Sequence, residues 1–159
     1  MTDSGLTTCL WFDGRAEEAA NFYTSLFPHS RIGRVTHTNE AGPGPAGEVL
    51  TVEFELSGQR FVALNGGPRY TFTPAVSFQI HCSDQEELDY YWERLSAEGT
   101  EVACGWTTDR YGVSWQVIPA VLPDLVSDPD PEKAKRATEA MLSMTKLDIA
   151  ALERAHAGE

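Results

Sequence analysis

The sequence predicts an α+β fold made of two copies of a β-α-β-β-β unit, followed by C-terminal helices. Three observations predict it. Two helical segments match when one is shifted by 69 positions, RAEEAANFYTSLF from Arg15 and DQEELDYYWERLS from Asp84. A strand-like run precedes each of them, and two or three more follow. A last block opens at Ser127-Asp128-Pro129-Asp130-Pro131, where proline in the first turn marks a helix start.

The first unit begins with the strand-like run Thr7–Phe12. In the helix after it, Ala19, Phe22, Tyr23 and Leu26 form an apolar stripe at helical spacing, while Glu17 and Glu18 suit the positive end of the helix dipole. The runs Arg31–Thr38, Val49–Leu56 and Arg60–Asn65 follow, separated by the Gly/Pro loop Glu40–Gly47 and the tight Ser57-Gly58 turn. The second unit repeats this order. Strand Ala75–Cys82 leads into a helix whose start, Ser83-Asp84-Gln85-Glu86, reads as a capping box, with the stripe Leu88, Tyr91, Trp92, Leu95. Glu101–Trp106 and Val113–Pro119 come next, joined by a turn at Asp109–Gly112 that has room for a short strand. The units span about 5–68 and about 74–120 within a single domain of 1–159. The extension, about 127–157, runs through Lys133–Met144 and Ile149–Ala157, and Met141, Met144 and Leu152 are expected to pack on the domain or on a second subunit.

A net charge of −12 and an isoelectric point near 4.6 speak against nucleic acid as a partner, because such binders need a basic face to displace counterions. No apolar run approaches the ~20 residues of a membrane-spanning helix, and MTDSGLTTC lacks the basic-then-apolar order of a signal peptide. The expected location is the cytoplasm. Cys9, Cys82 and Cys104 are odd in number and form no CxxC pair, which speaks against a disulfide framework or a structural zinc site.

Strand alternation sorts the polar residues. In Ala75–Cys82 the apolar face is Val76, Phe78, Ile80 and Cys82, and the other is Ser77, Gln79 and His81. In Val113–Ile118, Val113, Trp115 and Val117 oppose Ser114, Gln116 and Ile118. Trp115 therefore belongs to the core, and Ser114 and Gln116 are the residues of CGWTTDRYGVSWQVIP able to face a ligand. Asp109-Arg110-Tyr111-Gly112 reads as turn chemistry.

Five stretches together are specific: LWFDGRAEEAANFYTSLFP (10–28), LNGGP (64–68), SFQIHCSDQEELDYYWERL (77–95), CGWTTDRYGVSWQVIP (104–119) and AMLSMTKLDIAALERA (140–155). The chain resembles the PhnB-like family of the vicinal oxygen chelate superfamily, which includes glyoxalases, bleomycin-resistance proteins and extradiol dioxygenases. Members often bear the name 3-demethylubiquinone-9 3-methyltransferase. The resemblance implies two βαβββ modules forming a curled mixed sheet around a cleft, with helices on the outer face, in a homodimer. It also implies a divalent metal held by the first and last strands of each module. Carried over by counting from the helix starts and strand ends, those positions fall near Thr8, Asn65, Ser77 and Gln116. None is His, Asp or Glu, and neutral amides and hydroxyls alone hold divalent ions weakly. No resident cofactor is therefore expected. If a divalent ion binds, Gln116, His81 and Asn65 are its candidate ligands.

Other candidates keep two readings. His81 is either a general base or metal ligand, or a hydrogen-bonded histidine at a strand end. Glu53, beside Glu55 on the polar face of VEFEL, is either a catalytic carboxylate or a solvated edge residue. Trp106 and Tyr111 either wall a pocket or pack in the core or an interface. With Gln79, these complete the candidate cleft. The function expected is binding of an unidentified small molecule. The alternative is a divalent-metal-dependent isomerase, lyase or dioxygenase-like enzyme, so enzymatic activity stays open. Methyl transfer ranks last, because WFDGRAEE opens its helix with acids rather than the glycine-rich loop of the usual doubly wound methyltransferase sheet.

Overall fold

The computed structural model describes residues 5–159. It divides into two compact units, one ending at Thr71 and the other Phe72–Glu159. In the first unit β1 (Thr8–Phe12) precedes α1 (Ala16–Leu26), followed by β2 (Arg31–His37), β3 (Val49–Leu56) and β4 (Gln59–Asn65). The sheet order is β1-β4-β3-β2, with β1 parallel to β4 and the other pairs antiparallel. Its core lies between one sheet face and α1. Leu10, Phe12, Val52, Phe54, Phe61 and Ala63 meet Ala19, Ala20, Tyr23 and Leu26, all nearly or fully buried. Phe54 stacks on Phe61 at 5.2 Å and on Tyr23 at 6.3 Å. The alanines of α1 let the helix approach these rings closely, and Pro28, whose nitrogen carries no hydrogen to donate, follows its end.

The second unit repeats the topology. β5 (Ser77–Cys82), α2 (Gln85–Ser96), β6 (Thr100–Glu101), β7 (Trp106–Thr108) and β8 (Ser114–Pro119) form a sheet ordered β5-β8-β7-β6, again with one parallel pair. Ile80, Cys82, Trp115 and Val117 pack with Leu88, Tyr91, Trp92 and Leu95 of α2. Thr107, fully buried, shares a 2.8 Å hydrogen bond with Ser96, which identifies the helix-facing side of β7. Thus each half is an α+β unit with a mixed four-stranded sheet, as the repeat predicts.

Two local expectations are corrected. The run Glu101–Trp106 is not one strand. Cys104 and Gly105 both have positive φ, 60° and 81°, and the Trp106 N–H donates to the Ala103 carbonyl at 3.2 Å. Those angles are the signature of a hairpin turn, which splits the run into β6 and β7. The third strand arises there, not within Asp109–Gly112. The cap of α2 lies one residue later than the capping box placed it. Asp84 accepts from the Glu87 N–H at 2.8 Å, while the Glu87 carboxylate reaches back to the Ser83 N–H and hydroxyl at 2.7 and 2.8 Å.

Beyond the sheets come α3 (Leu122–Val126), α4 (Pro131–Ser143) and α5 (Ile149–Ala157). The short α3, with Pro123 in its first turn, has no counterpart in the sequence reading. Asp130 and Asp148 cap α4 and α5 through their carboxylates. Arg136 of α4 donates to the terminal carbonyls Ala155 and His156 of α5 at 2.9 and 2.8 Å, satisfying orphan acceptors there. The Cys104–Gly105 turn donates its two N–H groups to Met144 and Thr145, and Leu147 is fully buried beside it. Leu152 is likewise fully buried, whereas Met141 and Met144 are half-buried. Among the described residues, no helix is long and apolar enough to cross a membrane.

Candidate functional site

Pairing register decides which side chains lie together on the sheet face turned away from each helix. In the second unit Ser77 lies opposite Ser114, Gln79 opposite Gln116, and His81 opposite Ile118. On the far side of β8, Trp106 pairs with Gln116 and Thr108 with Ser114. The open face therefore carries one row of Gln79, Gln116 and Trp106 and another of Ser77, Ser114 and Thr108. The rows are linked. The Gln116 amide donates to the Ser77 hydroxyl at 2.8 Å, and its oxygen accepts from the Gln79 amide at 3.2 Å. Gln79 and His81 are exposed, Ser77, Gln116 and Trp106 half-buried, and Ser114 is buried at 3% exposure. The sequence thus brings Ser77, Gln79, Gln116 and Trp106 together, while Ser114 sits beneath the accessible surface. Tyr111 lies apart from these rows, in the turn before β8, where its N–H donates to Asp109 at 2.8 Å.

The first unit departs from the carried-over positions. β1 ends three residues before α1, across Asp13-Gly14-Arg15, whereas β5 ends two residues before α2, across Ser83-Asp84. Counting back from the helix start therefore lands one residue late in β1. Because side chains alternate, a one-residue slip changes the face. Thr8 shares the side of Leu10 and Phe12 toward α1, and the equivalent of Ser77 is Thr7. Cys9 and Trp11, unremarked in the sequence as site residues, stand on the open face opposite Val62 and Leu64. Asn65 is displaced in the same way. It pairs with Phe12 on the helix side, its oxygen accepts the Ala16 N–H at 2.9 Å, and its amide donates to the Val49 carbonyl at 3.0 Å. It supplies the helix cap that α1 lacks in its own sequence. The position matching Gln116 is Val62.

Glu53 does lie on the open face, opposite Val62 and exposed. It lines a cavity of about 560 Å³ with Thr7, Arg31, Arg34, Glu55 and Arg60. Within this cavity Arg31 holds Glu55 through two bonds of 3.1 and 2.9 Å, and these keep the Glu55 carboxyl below the usual range. A second cleft of about 950 Å³ runs past Trp11, Asp13, Glu17, Glu48 and Gly66. The Trp11 indole donates to the Gly67 carbonyl at 2.8 Å and packs edge-on to Tyr70. A Cβ at position 66 would stand 2.4 Å from that indole, so only glycine fits.

The donor set does not suit a divalent metal. Thr8 and Asn65 face the helix side, and the Ser77, Gln79 and Gln116 groups are neutral, with the Ser77 and Gln116 oxygens already accepting hydrogen bonds within the row. Among the described residues, no three His, Cys, Asp or Glu side chains are grouped to hold an ion. Neither Cys9 nor Cys82 offers an activated thiol. Burial pushes the Cys82 thiol up to about 12, with Glu87 and Asp84 adding to the effect, and burial also raises Cys9.

These paired βαβββ units define an α+β fold of the glyoxalase type. A family model described as 3-demethylubiquinone-9 3-methyltransferase matches residues 4–118. A PhnB protein from Bacillus cereus with the same description is 41% identical, covering 70% of this chain and 95% of its own, with a TM-score of 0.64. The chain belongs to this PhnB-like family of the vicinal oxygen chelate superfamily. More distant structures share the fold. A Pseudomonas aeruginosa protein is 17% identical over 69% of this chain and 92% of its own, with a TM-score of 0.57. The fosfomycin resistance protein FosX from Listeria monocytogenes is 16% identical over 78% and 97%, with a TM-score of 0.52. No curated protein matches the chain. The family match ends before α3, so the C-terminal helices lie outside it.

Proposed function

We propose that this protein binds a small, uncharged polar molecule on the open face of its second sheet, without a resident metal. The observation that carries this reading is the Ser77–Gln116–Gln79 chain, three neutral groups from two strands held in one hydrogen-bonded register. Each glutamine has amide capacity left over, and Trp106 stands beside them in the row as an apolar surface. Such a constellation recognises amide or hydroxyl groups next to a flat ring; it offers little to a cation. Mixed sheets of this order lack the doubly wound architecture on which methyl transfer usually rests, which speaks against the activity in the family's description.

The test is calorimetric titration with a panel of neutral hydroxylated and amide-bearing aromatics, on the wild type and on Gln116→Ala. Loss of two hydrogen-bonding sites should weaken a genuine ligand by about tenfold or more. Stoichiometric uptake of manganese, nickel or zinc that disappears in Gln116→Ala or His81→Ala would overturn the metal-free reading. A homodimer belongs to the same proposal, on the family resemblance. Sedimentation velocity should show it, and a concentration-independent monomer would remove it.

A further inference from the structure

The cavity beside β2 has features that the amide row does not explain. Between the pairs Ile32–Phe54 and Val35–Val52, two residues of β2, Gly33 and Arg34, stand against the single residue Glu53. That is a β-bulge, a device that re-aims a side chain and often adjoins a site. Here Arg34 lines the same cavity as Glu53. Gly33 is not required by its backbone, since its φ is not positive; a Cβ there would instead stand 3.3 Å from the Glu53 carbonyl and 3.4 Å from its Cβ. Its missing side chain keeps the ground in front of Glu53 open, which is one recognised use of glycine within a strand.

The charges are arranged unequally. Arg31 and Glu55 satisfy each other in a two-bond pair. Arg34 and Glu53 line the same cavity, yet among the described residues neither makes an ion pair or a side-chain hydrogen bond. Two opposite, uncommitted charges on neighbouring strands, lining one cavity without pairing with each other, call for a ligand that carries both signs. We propose that this cavity of the first unit binds a small zwitterion, its carboxylate against Arg34 and its ammonium group against Glu53. Arg60 adds positive charge to the lining from β4, and Thr7 belongs to the same lining. The volume of about 560 Å³ exceeds what an amino acid of a few carbons needs. This site uses different residues, on a different sheet, from the amide row, so either can fail without the other.

The probes are glycine, β-alanine, 4-aminobutyrate and 6-aminohexanoate, with butyrate and butylamine as controls bearing one charge each. Binding is read by calorimetry or by ligand-observed NMR at low salt. At least one amino acid should bind about tenfold tighter than either control, because two charge-assisted contacts replace one. Arg34→Gln should bring that amino acid down to the level of butylamine, and Glu53→Gln to the level of butyrate. Both side chains are exposed, so both variants should keep the wild-type melting curve. Raising the salt should weaken the amino acid most. Equal, weak binding of amino acids and controls to the wild type would overturn the proposal, whatever the variants do. So would a tight amino acid whose affinity neither variant changes.

Discussion

Asp109 sits 3% exposed in the turn before β8, and its carboxylate serves three donors. One oxygen accepts from the N–H groups of Tyr111 and Val113 at 2.8 and 3.1 Å, and the other from the Trp115 indole at 2.9 Å. A buried indole needs such a partner, and an Asx-type turn needs such an acceptor. In Asp109→Ala the donors lose all of this at once. The unfolding free energy in urea should drop by about 3 kcal/mol or more, with an unchanged denaturant slope. A drop below about 0.5 kcal/mol would return the carboxylate to the pool of groups available for chemistry. The run from Cys104 to Pro119 is thus divided among three tasks. Cys104, Gly105 and Asp109 shape turns, Trp115 and Val117 fill the core, and Gln116 and Trp106 face outward.

At the scale of elements, Asn65 ties the end of β4 to the start of α1 and to the start of β3. Asn65→Ala should cost about 1–2 kcal/mol, the range for a lost helix cap, and speed amide exchange at Ala16. Asn65→Asp, which keeps the acceptor, should recover part of that loss. Unchanged stability accompanied by loss of a bound divalent ion would instead restore Asn65 as a ligand. The two units differ in how legible they were for this reason. β5 and β8 alternate without interruption, so Ser77, Gln79 and Gln116 could be assigned to one face from sequence alone. Thr8 and Asn65 were reached by counting across turns, and the additional residue at Asp13-Gly14-Arg15 shifted the count. The signal was present as FDGRAEE against CSDQEE. Nothing comparable announces the bulge at Gly33-Arg34, because a bulge is a property of the pairing between β2 and β3, and one strand's sequence does not contain its partner's register. The hairpin at Cys104-Gly105 was readable only in its glycine.

For the whole molecule the excess of 24 acidic over 12 basic side chains governs how stability responds to acid. Two effects act in opposite directions. The net charge of −12 opposes the compact state through self-repulsion, which lessens as the negative charge is reduced in acid. Three carboxylates are held below the usual range: Asp89 by Gln85 and Lys146, Asp128 by the Asp130 N–H and His156, and Glu55 by Arg31. A depressed folded pKa means that the contribution is fully present above the ordinary carboxylate value and disappears as pH falls through the folded one. Stability should therefore pass through a maximum near about pH 5 and fall steeply below about pH 4. Urea midpoints between about pH 8 and about pH 3 would trace it. Repeating the series in about 0.5 M salt separates the two causes, since screening suppresses the diffuse repulsion on the neutral limb more than the close, hydrogen-bonded pairs on the acid limb. Asp89→Asn combined with Asp128→Asn should flatten the acid limb and leave the neutral limb in place. A stability that stays level from about pH 8 down to about pH 5 at low salt and falls only below would mean that repulsion is too weak to matter despite the net charge, and that the paired carboxylates alone set the acid response.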